Sequence, residues 1–228
     1  MPPKRTEATA VPQRQAVWDL PTRLFHWILV ALIAFSWWSG KNDEMDLHIW
    51  SGIAILMLLL FRLLWGFVGS STARFSSFVR GPKAVFDYLR GKWRGIGHNP
   101  LGALSVLALL AATGVQVGLG LFSSDEDGLV AGPLAYFVSL DASEEIADLH
   151  DDFFDVLLIL IGVHVAAVLF YALFKRKNLI GPMISGAAEI DPEAEPMRPG
   201  KWWAALLCLM AALAITRWVV AGAPPFGT

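Results

Sequence analysis

Five separate stretches of this sequence are apolar enough, and each near enough to the required length, to cross a lipid bilayer, which takes about 20 predominantly apolar residues in a helix. They run from about Leu24 to Trp38, from near His48 to Phe67, from Leu101 to Phe122, from Phe153 to Phe174 and from Trp202 to Val220. Inside hydrocarbon every backbone N–H and C=O must be bonded within the spanning unit, so these stretches predict helices rather than lone strands. Apolar side chains make up 55% of the 228 residues and charged ones only 17%, against roughly 45–50% and 25% in soluble domains. What remains outside the five stretches is too little for a separate soluble domain.

An all-α membrane protein follows. Its predicted organisation is an N-terminal tail over 1–23, a four-helix transmembrane domain over 24–180, a linker over 181–200 and an additional transmembrane helix over 201–228. The stretch from Ser185 to Gly200, rich in Pro, Glu and Ala, predicts a loose tether for that fifth helix. The tail is polar and has no apolar core or small-residue cleavage site, so no secretory signal is expected to be removed. The single cysteine, Cys208, excludes an internal disulfide and any cluster ligated by this chain's cysteines alone, and it reads as a small apolar filler.

Lys and Arg alternate between successive connections: four before the first helix, one in 39–47, six in 68–100, none in 123–152 and five in 175–201. The positive-inside rule then places the N-terminus and the 68–100 and 175–201 connections in the cytoplasm, with 39–47, 123–152 and the C-terminus on the opposite side. The 123–152 connection carries nine acids, which make that outer face strongly negative. Trp18, Trp27, Trp37, Trp38, Trp93, Trp202 and Trp203 fall near predicted helix ends, as an interfacial belt requires.

Four of the five histidines, His26, His48, His150 and His164, lie in or at the ends of these apolar helices, where an ionisable group is a functional candidate. His150 and His164 are 14 residues apart, so they share a helix face about 21 Å apart along the axis. By topology His26 and His164 are inner and His48 and His150 outer, giving two histidine pairs at two depths. Haem iron accepts two axial ligands, and neutral imidazole supplies both without bringing charge into lipid. A bis-histidine iron has no open position for substrate, so such a site moves electrons. Two histidines per level are too few for zinc or copper.

Arg62 lies 14 residues after His48, at the depth of His26 and His164. It either clamps a propionate of the inner haem or snorkels to the cytoplasmic surface near Trp65. Gly52 and Gly162 lie where a flat macrocycle would need the backbone close, and Gly114, Gly118 and Gly120 serve either that end or close helix packing. His98, in Gly97-His98-Asn99-Pro100, suits an interface residue or helix-entry cap, with a quinone headgroup or an inner propionate as other partners.

The stretch Val17-Trp18-Asp19-Leu20-Pro21-Thr22-Arg23-Leu24-Phe25-His26-Trp27 resembles the helix-one entry of the bacterial cytochrome b561 and nickel hydrogenase cytochrome b family. His48 with Gly52, Arg62-Leu63-Leu64-Trp65-Gly66, Gly97-His98-Asn99-Pro100-Leu101-Gly102, and the pair His150 and His164 resemble its later helices, and the likeness covers about residues 16–180. The resemblance implies a four-helix haem-binding bundle with two b-type haems, held by His26 with His164 and by His48 with His150. It also implies electron transfer across the bacterial inner membrane between a quinone pool and a redox partner, the chain serving as an electron-transfer protein or as the quinone-reactive subunit of an oxidoreductase. The fifth helix departs from the usual core. The acidic outer face predicts a periplasmic partner with a basic surface, such as a c-type cytochrome, and no nucleic acid. The alternatives are an oxidoreductase passing electrons from superoxide or another small molecule to quinone, and a haem-free transporter or membrane scaffold.

Overall fold

Short polar signals set where the long helices begin. In the computed structural model, which describes residues 13–91, 96–190 and 195–224, Asp19 caps the first helix by accepting the Thr22 N–H at 2.7 Å. Asn99 caps another by accepting the Gly102 N–H at 2.8 Å, with Pro100 at its first position, where a missing N–H costs nothing. The cap of that helix is therefore Asn99 and not His98. In chain order the elements are strand β1 (Gln13–Ala16), helices α1 (Leu20–Lys41), α2 (Met45–Val68), α3 (Phe75–Phe78), α4 (Pro82–Leu89), α5 (Pro100–Phe122), α6 (Leu140–Leu173) and α7 (Ile180–Ser185), strand β2 (Ala187–Ile190) and helix α8 (Trp202–Val220). Five of them, α1, α2, α5, α6 and α8, are long and apolar enough to span a membrane. Lys4, Arg5, Lys92, Trp93 and Arg94 of the sequence argument lie outside the described residues.

The chain is a multi-pass all-α membrane protein. Large side chains such as Ile159 (66% exposed), Val163 (62%) and Leu173 (70%) cover the outside of the bundle, a surface that only lipid solvates favourably. Helix α1 packs on α2 and α5 on α6, while α2 joins the two hairpins by packing on α5 and also carries α8. Phe25, Leu58, Phe61 and Trp65 meet Ala204, Cys208 and Ala212 of α8 in one cluster. The small residues at four-residue spacing let the backbones of α2 and α8 come close. A second cluster, Ile55, Leu59 and Val117, ties α2 to α5.

Two segments differ from expectation. The helix expected from Phe153 starts at Leu140, capped by the Ser139 hydroxyl, and runs for 34 residues. At 1.5 Å per residue it is about 51 Å long, well beyond the roughly 30 Å of hydrocarbon. Its N-terminal part carries Asp141, Glu144, Glu145, Asp148, Asp151 and Asp152, so those acids stand on a helical projection, and Asp141, in the first turn, is favoured by the positive end of the helix dipole. The Ser185–Gly200 stretch is held at both ends. Strand β2 pairs antiparallel with β1, Ala16 opposite Ala187. Further on, the Arg198 N–H donates to Ser71 Oγ at 2.9 Å and its carbonyl accepts the Ser71 N–H at 3.0 Å.

Candidate functional site

Helices α2 and α6 bring His48 and His150 opposite one another, with ring centres 5.9 Å apart and planes nearly perpendicular, at 89°. Each ring is oriented by the neighbouring helix in the same way. His48 Nδ1 donates to the carbonyl of Ser36 on α1 at 2.9 Å, and His150 Nδ1 donates to the carbonyl of Gln116 on α5 at 2.9 Å. A proton held at Nδ1 leaves the Nε2 lone pair free, the tautomer that a metal-ligating histidine adopts. Four residues after each acceptor, one turn on, stands a glycine. A Cβ on Gly40 would meet His48 Nδ1 at 3.0 Å, and one on Gly120 would meet His150 Cε1 at 3.0 Å. Each imidazole thus lies in the notch left by a missing side chain on the adjacent helix.

Ser36, Gln116 and the roles of Gly40 and Gly120 escaped the sequence argument. A residue followed by glycine at i+4 is a weak signal until a histidine is known to point there. The Gln116 side chain also donates to the His150 carbonyl at 2.8 Å and lies 3.2 Å from His150 Nε2. A metal at that nitrogen would replace the latter contact.

The other two histidines form a looser group. His164 lies within electrostatic reach of His26, its Nδ1 is 3.4 Å from Ser105 Oγ, and His26 Nδ1 is buried without a hydrogen-bond partner. Arg62 is 2% exposed, so its guanidinium does not reach the surface. Among the described residues both of its Nη atoms are buried and unpartnered, and its guanidinium lies 5.0 Å from the centre of the Phe75 ring. The acid that acts on Arg62 is Asp19, whose oxygens already receive the Thr22 N–H and, at 3.1 Å, the Trp65 indole N–H. A buried cation left so costs several kcal/mol, and an added carboxylate would offset that cost. His98, just before α5, sits between Trp18 and Phe78 with ring centres at 4.5 and 4.7 Å. Burial first, then the positive fields of Arg62, His164 and His26, pushes its pKa down to about 3, so it is neutral at ordinary pH.

These features fit haem. Two imidazoles on opposite sides of one metal ion, each bonded at about 2 Å, have ring centres about 6 Å apart, which is the His48–His150 spacing. Among the described residues no three His, Cys, Asp or Glu side chains converge on one point, and the two imidazoles of the His48–His150 pair match the number of protein donors that a haem iron accepts. Gly52, Gly114, Gly118 and Gly162 have open space where a Cβ would stand, which close helix packing would have filled. A family model described as prokaryotic cytochrome b561 matches residues 17–186. The chain belongs to the prokaryotic cytochrome b561 family. The family binds haem b and moves electrons in membranes, and the matched residues contain His26, His48, His150, His164, Arg62 and His98, while α8 lies beyond them. No curated protein and no solved structure matches the chain.

Proposed function

We propose that this member of the cytochrome b561 family is a dihaem electron carrier across the bacterial inner membrane, working between a quinone pool and a periplasmic redox partner. His48 and His150 would hold the outer haem, and His26 and His164 the inner one, with Arg62 pairing an inner propionate. When bound, haem would supply one-electron redox chemistry at the levels of these histidines. The observation that carries this reading is the His48–His150 pair, two adjacent, nearly perpendicular rings whose Nδ1 protons are both tied to helix carbonyls.

The protein's own contribution is to position and to hold charge. The Ser36 and Gln116 carbonyls fix the tautomers and ring angles of the outer pair, so little reorganisation accompanies a change of charge between the rings. Arg62, out of contact with water, stabilises negative charge brought to the inner level. Asp19 links the start of α1 to Trp65 on α2 and holds Arg62 in its field. Orientation with the tail and the 68–100 and 175–201 connections inside follows from their Lys and Arg excess. The acids of the 123–152 region favour a basic redox protein as outer partner and oppose an anionic donor such as superoxide.

Haem content by pyridine haemochrome, with reduced-minus-oxidised spectra, tests the proposal on purified protein. The expected result is two low-spin b haems per chain, falling to one in His48→Ala or His150→Ala and to one in His26→Ala or His164→Ala. One haem in the wild type would remove a pair from the scheme. No haem at all would return the chain to a transporter or scaffold.

A further inference from the structure

A groove of about 540 Å³ opens between the C-terminal end of α2 and the start of α8, within the roughly 300–1,000 Å³ usual for small-molecule sites. It belongs to none of the histidine pairs. Its rim carries Arg74, Arg198 and Lys201, and its walls include Val68, Trp203 and Leu207. Among the described residues no carboxylate pairs with Arg74 or Lys201, whereas Arg198 is bound to Glu195 at 3.0 Å. Arg74 Nε is closed off from solvent with no hydrogen-bond partner. Lys201 Nζ rests over the Trp203 ring, 5.4 Å from its centre, as an ammonium does at a membrane interface where one side is apolar. Below these cations the walls are uncovered, with Val68 53%, Trp203 48% and Leu207 52% exposed.

We propose that this groove binds the phosphate headgroup and upper acyl chains of an anionic phospholipid. Arg74 and Lys201, without a carboxylate partner among the described residues, select the phosphodiester and reject ligands without negative charge. The apolar wall descending directly from them favours a lipid over a free anion, because a small anion would leave those side chains uncovered. The groove exists because of α8, which lies outside the family's matched residues, so the lipid would seal the joint between the added helix and the shared bundle.

The test uses the purified full chain in mild detergent, titrated with spin-labelled phosphatidylglycerol and, separately, with labelled phosphatidylcholine, with ubiquinone as unlabelled competitor. Phosphatidylglycerol should bind more tightly than phosphatidylcholine, and Arg74→Gln with Lys201→Gln should weaken it about tenfold or more. Lys175→Gln with Lys177→Gln, which removes the same charge after α6 at the same end of the bundle, should leave it unchanged. Leu207→Trp should also weaken binding while keeping every cation, and it carries the test should the charge variant fail to fold. Equal weakening by both charge pairs, or no preference between the two lipids, would overturn the proposal. So would ubiquinone displacing the labelled lipid with an affinity that Arg74→Gln with Lys201→Gln leaves intact, which would make the groove a quinone site.

Discussion

A methyl group on Gly120 would stand 3.0 Å from Cε1 of His150, and one on Gly40 would stand 3.0 Å from Nδ1 of His48. In a helix, alanine in place of glycine normally stabilises by up to about 1 kcal/mol, so any loss in these variants must come from displacing the imidazole. We expect Gly40→Ala and Gly120→Ala each to lower occupancy or shift the spectrum of one haem only, measured by haemochrome and redox titration. Full occupancy with unchanged potentials would show that the rings tolerate the methyl and that the notch is incidental. The histidines themselves were legible in the sequence, because ionisable residues in apolar helices stand out. Their second partners were not, since Ser36 and Gln116 act through backbone carbonyls that every residue possesses.

At the scale of single elements, α6 shows where a hydropathy argument stops. The apolar run begins at Phe153, but the helix begins at Leu140 because Ser139 caps it and residues 140–152 contain no glycine or proline to break it. Polar helix continuing out of a membrane is invisible to a criterion that asks only for apolar length. In a Cys208→Ser background, cysteines placed at Asp141 and Glu145 should react with a membrane-impermeant maleimide in intact membranes, while one at Ile159 should not. Protection at Glu145 would place the bilayer boundary earlier along α6. The β1–β2 pairing was equally illegible, since it joins four residues near one end of the chain to four beyond α7, and neither run has a strand's alternation.

Across the whole molecule, charge is divided between the two ends of the bundle. The end where α8 ends also receives the 123–139 connection, where Tyr136 donates its hydroxyl hydrogen to the Gly222 carbonyl. The other end holds Arg74, Arg198 and Lys201 together. Such asymmetry acts on partners at a distance, and its reach is the Debye length, about 10 Å at 0.1 M salt. Replacing Asp125, Glu126, Asp127, Asp141, Glu144, Glu145, Asp148, Asp151 and Asp152 by their amides should slow electron exchange with a basic c-type cytochrome at low salt. The difference should vanish as salt is raised. Rates insensitive to both changes would exclude steering by this face.

By itself the sequence determined the number of membrane-crossing helices, the alternation of basic connections, the candidate histidines and the family, because each rests on residue type and spacing along one chain. The tertiary structure alone decided which groups face one another. Only once the helices pack does Arg62 become a buried cation beside an acid, Asp19, that is already engaged, and only then does α8 open a basic groove against α2. Burial and pairing are properties of neighbours from distant parts of the chain, and spacing along a single helix carries no information about them.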